Sequence, residues 1–441
     1  ILHSPDGVTW YEVNKKEATG KKNSELVALD LLPREGIKPA GFELTTKGSS
    51  EILVITDDVS PIASLKIEGD LYTYEESTET EVDGMPIITK YQDHVVLAGK
   101  VNNKGRVVVS TRFDPLSYTG TGAWSATVQD EITGLHTFRD YLYIFCKTAI
   151  YRVVNLESSS EVEVRPVTSK IGCIAGASIQ EVGGDILFLA RDGLRYLGAT
   201  ERIDDVSLTV STYNIHDIVE KVDINQGYPV SVVIPSRSQY RLFYKDSVGE
   251  ARGLIGTIDS EGNFSWSTTT DMGVSFITSS VDKTTGAELV YHLGSDKTGH
   301  ISVYRHDVGP TFNGTPFEAL WITPAFHMGD SAVRKQLHDV MLYIEADELA
   351  QVELTIIYDF ANPKTMQPEP FYVEPVVQAA RYGDAFYGEA TYGALRFPTE
   401  SLFVEGSGKW IQFAFRDSAP EWNSRYTIRG YDLQFITGGR I

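Results

Sequence analysis

Cysteine is scarce in this sequence. Only Cys146 and Cys173 occur among 441 residues, which excludes a disulfide framework and a cysteine-based zinc site. Each lies in an apolar, strand-like run, so we expect both to be buried free thiols. Such cysteine usage is typical of a protein that is assembled in a reducing cytoplasm.

Long hydrophobic runs are also missing. No stretch approaches 18 consecutive apolar residues, so the sequence predicts no transmembrane helix. The lysines between residues 15 and 22 are not followed by a long apolar core, and we therefore predict no signal peptide in these residues. The chain begins with Ile1 rather than Met, from which we expect a trimmed or processed start.

Basic residues are outnumbered. The chain has 39 Lys and Arg against 60 Asp and Glu, a formal net charge of −21. Proteins that grip nucleic acid usually present a basic patch, so this balance argues against tight DNA binding. For an isolated protein the charge indicates only solubility. It becomes informative for a protein that encloses DNA which must slide.

Helical periodicity is scarce, and short strand-like runs dominate instead. Apolar or alternating runs of five or six residues, the usual strand length, are closed by Gly, Asn or Asp turns. Examples are 51–56, 93–98, 106–110, 141–146, 149–154, 185–190 and 239–244. The aromatic fraction of 11% also favours β structure. One short helix is predicted near Ile215–Lys221.

The strand-like runs recur as hairpins. Five hairpins are predicted, at 93–110, 139–154, 184–197, 239–258 and 288–304. Their spacing of about 45–50 residues is that of propeller blades, although no WD or kelch signature marks them. We therefore predict an all-β chain with a β-propeller of about six blades. The propeller is assigned to residues 1–315, where the first blade is the least defined.

The pattern changes near the C-terminus. Residues 310–316 are rich in Gly, Pro and Asn and are predicted to be a linker. Longer alternating runs follow, at 340–345, 351–358, 410–415 and 426–435. This pattern predicts a C-terminal β-sandwich-like platform domain over residues 316–441, which would serve oligomerisation.

Catalytic motifs are missing from the sequence. It has no G-x-S-x-G elbow and no H-E-x-x-H helix. Gly406–Trp410 partly matches a phosphate-binding loop, but Phe403 replaces the first glycine and Trp410 replaces the magnesium-binding Ser or Thr. We expect it to be a turn before a strand. With 60 acidic residues, pairs of carboxylates that could serve a glycosidase arise too easily to single any out.

Metal-binding patterns are weak. His292, His300 and His306 fall across one predicted hairpin, where a metal site is the less favoured alternative to surface or turn histidines. Asp259–Asn263 is acidic but lacks the twelve-residue calcium-loop spacing, and a plain hairpin turn is expected. We therefore predict no catalytic residue, no metal, no cofactor and no enzymatic activity.

A Tyr-Gly dipeptide recurs with a period of five residues, at 382–383, 387–388 and 392–393. Glycine permits loop geometry, while exposed tyrosine provides contact area at low entropic cost. One interpretation is an ordered loop packed by its own aromatic rings. The other is a loop that docks on a neighbouring subunit, with Tyr382, Tyr387, Tyr392 and Arg396 as interface candidates.

The order of several motifs resembles one known family. "HVVLAG…VVVSTRFDPLSY" at 94–118 is followed by "GLHTFRDYLYIFCKTAIYRV" at 134–153 and "IGCIAGASIQEVGGDILFLARDGLRYL" at 171–197. The Tyr-Gly repeats and "YTIRGYDLQFITGGR" at 426–440 follow. In this order they resemble the tail nozzle proteins of short-tailed bacteriophages, also called tail tubular protein B or phage stabilisation protein.

The resemblance implies a structural virion protein, assembled in the host cytoplasm. It implies a homo-oligomeric ring of about six copies below the head–tail connector, with connector or adaptor proteins and tail fibre or distal tail proteins as partners. Double-stranded DNA would pass through the ring without specific binding. Six copies at −21 each would carry 126 negative formal charges, and an acidic channel would repel phosphates and keep DNA from sticking.

Two alternatives belong to other classes of protein. A propeller-type glycan-binding or glycan-degrading protein would have acids and aromatic side chains around a concave pocket, and glycan cleavage by the purified chain would identify it. A bacterial surface adhesin is disfavoured by the missing signal peptide.

Overall fold

The computed structural model of the chain divides into two compact units, residues 1–306 and 307–441. It describes residues 2–3, 11–12, 41–47, 50–68, 71–154, 162–198, 212–260, 262–282, 284–295, 301–309, 311–312, 315–346, 350–374, 399–417 and 426–440. Among these residues, no helix has the length and apolar character that crossing a membrane requires.

The first unit is built from consecutive antiparallel sheets in which neighbouring strands are also neighbours in sequence. A two-stranded pair, β1 (Leu2–His3) and β2 (Tyr11–Glu12), comes first. Blade one contains β3 (Gly41–Lys47), β4 (Ser50–Thr56), β5 (Ala63–Glu68) and β6 (Leu71–Glu76). Blade two contains β7 (Ile87–Tyr91), β8 (His94–Lys100), β9 (Asn103–Val109) and β10 (Trp124–Thr127). Blade three contains β11 (Ile132–Phe138), β12 (Tyr141–Cys146), β13 (Ile150–Val154) and β14 (Glu163–Thr168).

Three more sheets follow in the same manner. Blade four contains β15 (Gln180–Val182), β16 (Asp185–Ala190) and β17 (Gly193–Tyr196). Blade five contains β18 (Val230–Ile234), β19 (Gln239–Lys245), β20 (Ala251–Ile258) and β21 (Phe264–Thr270). Blade six contains β22 (Phe276–Val281), β23 (Glu288–Ser295) and β24 (Ile301–Arg305). All five hairpins predicted from the sequence are present, and blade one, the least defined in the sequence, is a four-stranded sheet.

Blades two to five are each covered on both faces by their neighbours, and their central strands are rich in apolar residues. In β12, Leu142 and Ile144 pack in a cluster with blade two, whereas Tyr143 and Phe145 pack with blade four. Successive side chains of a strand point to opposite faces, so a continuous apolar run serves two interfaces. All five successive blade–blade interfaces contain such an apolar cluster.

Hydrogen bonds also join neighbouring blades. The Thr137 hydroxyl of blade three donates to the Lys90 carbonyl of blade two at 2.7 Å. The Ser279 hydroxyl of blade six donates to the Val233 carbonyl of blade five at 3.1 Å. Six successive meanders packed face to face form a β-propeller, which confirms the predicted fold class.

Helices are short and few within the described residues. One α-helix, α1 (His216–Val219), lies inside the helix predicted at 215–221. Single 3₁₀ turns occur at Thr80–Val82, Gly176–Ser178, Tyr213–Ile215, Pro235–Arg237 and Asp359–Ala361. They connect strands and do not form a layer of their own.

The second unit is a sandwich of two antiparallel sheets. It begins with a small hairpin, β25 (Thr311–Phe312) and β26 (Thr315–Pro316). One sheet has the order β27 (Leu320–Ile322), β32 (Ile411–Asp417), β29 (Val352–Tyr358) and β30 (Phe371–Val373). The other has the order β31 (Thr399–Phe403), β28 (Val333–Ala346) and β33 (Tyr426–Arg440).

The sandwich core forms between these two sheets. Leu342 and Ile344 of β28 pack in one cluster with Leu354 of β29 and Phe413 of β32. The C-terminal β-sandwich predicted from the alternating runs is thus confirmed. The segment predicted as a linker contains the β25–β26 hairpin instead, because its Gly, Asn and Pro residues suit a tight turn as well as a flexible connection.

Candidate functional site

The C-terminal unit has an apolar edge strand. In β27, Leu320, Trp321 and Ile322 are exposed by 59%, 50% and 50%. The strand pairs on one side with β32, and no strand of the described residues pairs with its other side. An exposed apolar edge presents unpaired N–H and C=O groups to another chain. We call Leu320–Ile322 the apolar edge strand.

The apolar edge strand is held firmly by its own sheet. The Trp321 ring stacks on the ring of Phe415 with centroids 5.1 Å apart, and Phe415 belongs to the sandwich core. Arg416 of β32 forms an ion pair with Glu318, just before the strand. The strand is therefore fixed by packing and charge, while none of the strands that the structure describes pairs with its outer edge.

Further exposed apolar side chains surround the sandwich. Of the 20 large hydrophobic side chains that are exposed among the described residues, eleven lie in the C-terminal unit and nine in the propeller. The C-terminal unit is less than a third of the chain. Its exposed members include Phe403 at the end of β31 and Phe435 and Ile436 in β33. Because exposed apolar patches mark interaction sites, the C-terminal unit is the candidate for an interaction surface.

The apolar edge strand was not predicted, although the sequence contains a signal for it. A run of four apolar residues, 319–322, stands between Pro316 and Pro324. Proline in a sheet is confined to edge strands and strand ends because it cannot donate to the ladder. A short apolar run between two prolines therefore predicts an edge strand.

The subunit-interface candidates Tyr382, Tyr387, Tyr392 and Arg396 lie outside the described residues.

The glycine-rich turn Gly406–Trp410 binds a carboxylate of the same chain through its backbone. The backbone N–H groups of Lys409 and Trp410 donate to Asp359 Oδ1 at 2.7 and 3.0 Å. Gly406 has a φ of +95°, and a Cβ there would come within 2.9 Å of the Tyr358 ring. As predicted, the segment is a turn that precedes β32. Its N–H groups bind the chain's own Asp359.

The ionised Asp359 side chain makes the stability of the C-terminal unit depend on pH. Burial raises the pKa of this carboxyl, but the N–H groups of Trp410 and Lys409 and the neighbouring Arg334 outweigh burial and hold the pKa below its usual range. A lowered pKa in the folded state stabilises the fold above the unfolded pKa of about 3.9 and loses this contribution as the pH falls through the folded value.

Asp359→Asn should therefore destabilise the C-terminal unit at pH 7 by about 1.5–3 kcal/mol, the contribution of hydrogen bonds to a charged group. Below pH 4 the difference from the wild type should shrink. Asparagine tolerates the positive φ of +50° at this position. Urea unfolding at several pH values measures both effects. Asp339→Asn, which removes an exposed carboxylate bonded to the Ser401 hydroxyl, is the control, and an equal loss in both variants would contradict the assignment.

Two of the three histidines of the predicted hairpin come together. The rings of His292 and His306 meet edge to face with centroids 4.5 Å apart, and Tyr304 stacks on His292 at 5.0 Å. Burial lowers the pKa of His292 to about 4, so this ring is neutral at pH 7. His300 lies outside the described residues. The described residues contain no group of three or more His, Cys, Asp or Glu side chains that could hold a metal ion.

Both cysteines are buried and free, as predicted. Burial raises the pKa of Cys146 to about 12 and that of Cys173 to about 11. The thiolate is the nucleophilic form, so these thiols are unreactive at neutral pH. At the acidic turn of blade five, the Asn263 N–H donates to Asp259 Oδ1 at 2.8 Å, as the predicted hairpin turn requires.

Comparison with known proteins shows no match to a protein-family model and no match to a curated protein sequence. Solved structures that are similar include Raptor from Chaetomium thermophilum, at 10% identity and a TM-score of 0.39. That match covers 62% of this chain but only 24% of Raptor. BBS1N, solved in complex with ARL6DN, matches at 15% identity and a TM-score of 0.39 over 67% of this chain and 89% of BBS1N.

SapL1 lectin, solved in complex with alpha methyl fucoside, matches at 13% identity and a TM-score of 0.33. That match covers 62% of this chain and 94% of the lectin. Similarities at this level carry no functional argument. The propeller assignment rests on the sheet order and the blade–blade clusters of this chain itself.

Proposed function

We propose that this chain is a non-enzymatic structural subunit of a bacteriophage tail. In this proposal about six copies form a ring below the head–tail connector, which gives DNA a channel for ejection and other tail proteins a docking platform. The observation that carries the proposal is the apolar edge strand on a C-terminal unit rich in exposed apolar side chains. A subunit that assembles through this unit buries such a surface, whereas a monomer leaves it in water.

Two features of the sequence support the same function. The order of the motifs between residues 94 and 440 resembles that of phage tail nozzle proteins. The net charge of −21 per copy suits a channel in which DNA slides, because binding through Lys and Arg is what retains DNA. A channel lined with Lys and Arg in the assembled ring would contradict this part of the proposal.

The test is the mass of the purified protein in solution, alone and mixed with phage connector rings, together with negative-stain images. Rings of about six copies, or incorporation into a tail-like assembly, would support the proposal. A monomer that binds no virion partner would contradict it and would favour the alternative of a glycan-binding or glycan-degrading propeller.

The Tyr-Gly segment provides a separate prediction. Deleting residues 381–396 should prevent ring or tail assembly and leave the propeller folded, because exposed tyrosines provide rigid contact area at low entropic cost. Phage particles assembled with the deleted chain and circular dichroism of the purified variant measure the two effects. Normal infectious particles after the deletion would contradict the role of this segment.

A further inference from the structure

A cleft with a volume of about 200 Å³ lies between blades three and four of the propeller. It belongs to the first unit and is separate from the apolar edge strand. On the side of blade three it is lined by Arg139 of the β11–β12 turn, Tyr141 of β12 and Arg152 of β13. Asp185 and Leu197 line it on the side of blade four.

The guanidinium groups of both arginines in the cleft lie over aromatic rings. The Arg152 guanidinium lies 4.6 Å from the centroid of the Tyr141 ring, and the Arg139 guanidinium lies 4.8 Å from that of Phe138. Stacking of this kind fixes the plane of a guanidinium and leaves its N–H edge free to donate. The cleft is thus lined by two guanidinium groups that lie over aromatic rings.

One of these donors has no acceptor. Arg152 Nε is buried and finds no hydrogen-bond partner in the described part of the chain. By contrast, Arg139 Nη2 donates to the Gly184 carbonyl at 2.6 Å. A buried donor without an acceptor is costly, so Arg152 favours a ligand that brings an oxygen atom to its guanidinium.

The charges in the cleft favour a ligand with a single negative charge. The Asp185 side chain accepts hydrogen bonds from the N–H groups of Gly198 at 2.9 Å and Ile186 at 2.8 Å, which fix its position in the lining. Two arginines against one carboxylate leave an excess of one positive charge. A carboxylate would accept hydrogen bonds from the guanidinium groups, whereas a multiply charged anion would be repelled more strongly by Asp185.

The cleft is small. Its volume of about 200 Å³ is below the roughly 300 Å³ at which pockets for drug-sized ligands begin, which favours a ligand of monosaccharide size. Phe138 and Leu197 add apolar wall, which suits the C–H face of a small ring.

We propose that this cleft binds a carboxylate-bearing ligand of monosaccharide size, with the chemistry of a hexuronic acid, either free or at the end of a glycan. Arg152 binds the carboxylate through its guanidinium group, and Arg139 supplies the second positive charge. The site does not depend on the assembly proposed above, because its lining comes from the propeller alone.

The test is calorimetric titration of the full chain with sodium D-glucuronate, D-glucose, sodium acetate and inorganic phosphate. Glucuronate should bind saturably and at least tenfold more tightly than the other three. Arg152→Gln should weaken glucuronate binding about tenfold or more, because it removes a hydrogen bond between charged groups. Tyr141→Ala, which removes the exposed ring beneath Arg152, should also weaken it.

Arg112→Gln is the matched control. Arg112 also stacks on an aromatic ring, that of Phe113 at 5.0 Å, but lies in the loop after β9 and outside the cleft. It should leave binding unchanged, and circular dichroism should show all variants folded. No binding of glucuronate, equal binding of glucose, equal binding of acetate or phosphate, or full affinity in Arg152→Gln and Tyr141→Ala would each overturn the proposal. A glucuronate-terminated oligosaccharide that binds more tightly than free glucuronate would identify a glycan as the source.

Discussion

Lysine at both Leu320 and Ile322 should abolish self-association of the chain and leave both units folded. Both side chains are exposed on the apolar edge strand, so the change costs the folded chain little, within about 0.5 kcal/mol for each surface site. About half of each side chain is still exposed, so an assembly that buries the strand gains about 0.8–1.5 kcal/mol from each of them. Losing both weakens association by at least tenfold, since each 1.4 kcal/mol is about a factor of ten, and the two buried charges weaken it further.

The expected result follows from how edges of sheets behave. Natural proteins place lysine on open edge strands to prevent pairing with another chain, and β27 has three apolar residues there instead. In an assembly, a second copy of the chain pairs along β27 or covers its side chains. In either case the ammonium groups of the two introduced lysines would have to be desolvated. Light scattering and negative-stain images at equal protein concentration measure the loss.

A matched control is a second double variant, Val59→Lys with Val248→Lys. These side chains are exposed by 72% and 77% in loops of the propeller, and the substitution adds the same two charges. Assembly should survive it. Rings that persist in the β27 variant, or that are lost equally in both, would show that the apolar edge strand is not the assembly surface.

The propeller could be predicted from the sequence because its blades have an unusual pattern. Strands that are buried on one face alternate apolar and polar residues, whereas β12 (Tyr141–Cys146) and β16 (Asp185–Ala190) are almost entirely apolar. Each of these strands is covered on both faces by neighbouring blades. The continuous apolar runs therefore indicate where the strands lie, and the Gly or Asn turns between them indicate that the hairpins repeat.

The candidate sites could not be predicted in the same way. The cleft depends on Arg139 and Arg152 in blade three meeting Asp185 in blade four, and the distance between blades is set by packing across their faces. The role of Gly406–Trp410 depends on Asp359, some fifty residues earlier. Such partners are joined by tertiary structure, and no spacing in the sequence reports them.

Phe188→Ala should lower the free energy of unfolding of the propeller by about 3–5 kcal/mol, the usual loss for a phenylalanine removed from a core. Phe188 of β16 is fully buried. Its ring lies 5.4 Å from that of Phe145 in blade three, so it belongs to the interface between two blades. Denaturant unfolding measures the loss, and hydrogen exchange reports which strands open.

The control is Phe276→Ala, which removes the same ring from a position that is 42% exposed in β22. Its cost should stay near 1 kcal/mol or below, the usual range for a site outside the core. Equal costs in the two variants would contradict the assignment of Phe188 to a packed interface.

The hydrogen-exchange result also tests how the blades depend on one another. A single meander has two apolar faces and cannot cover both by itself, so blade three needs both blade two and blade four. If the interfaces hold the propeller together, the cavity left by Phe188→Ala should speed hydrogen exchange in β12 as well as in β16, which lie on the two sides of that interface. Faster exchange confined to β16 would mean that each blade is stable by itself. The large loss of stability would then have to come from within blade four.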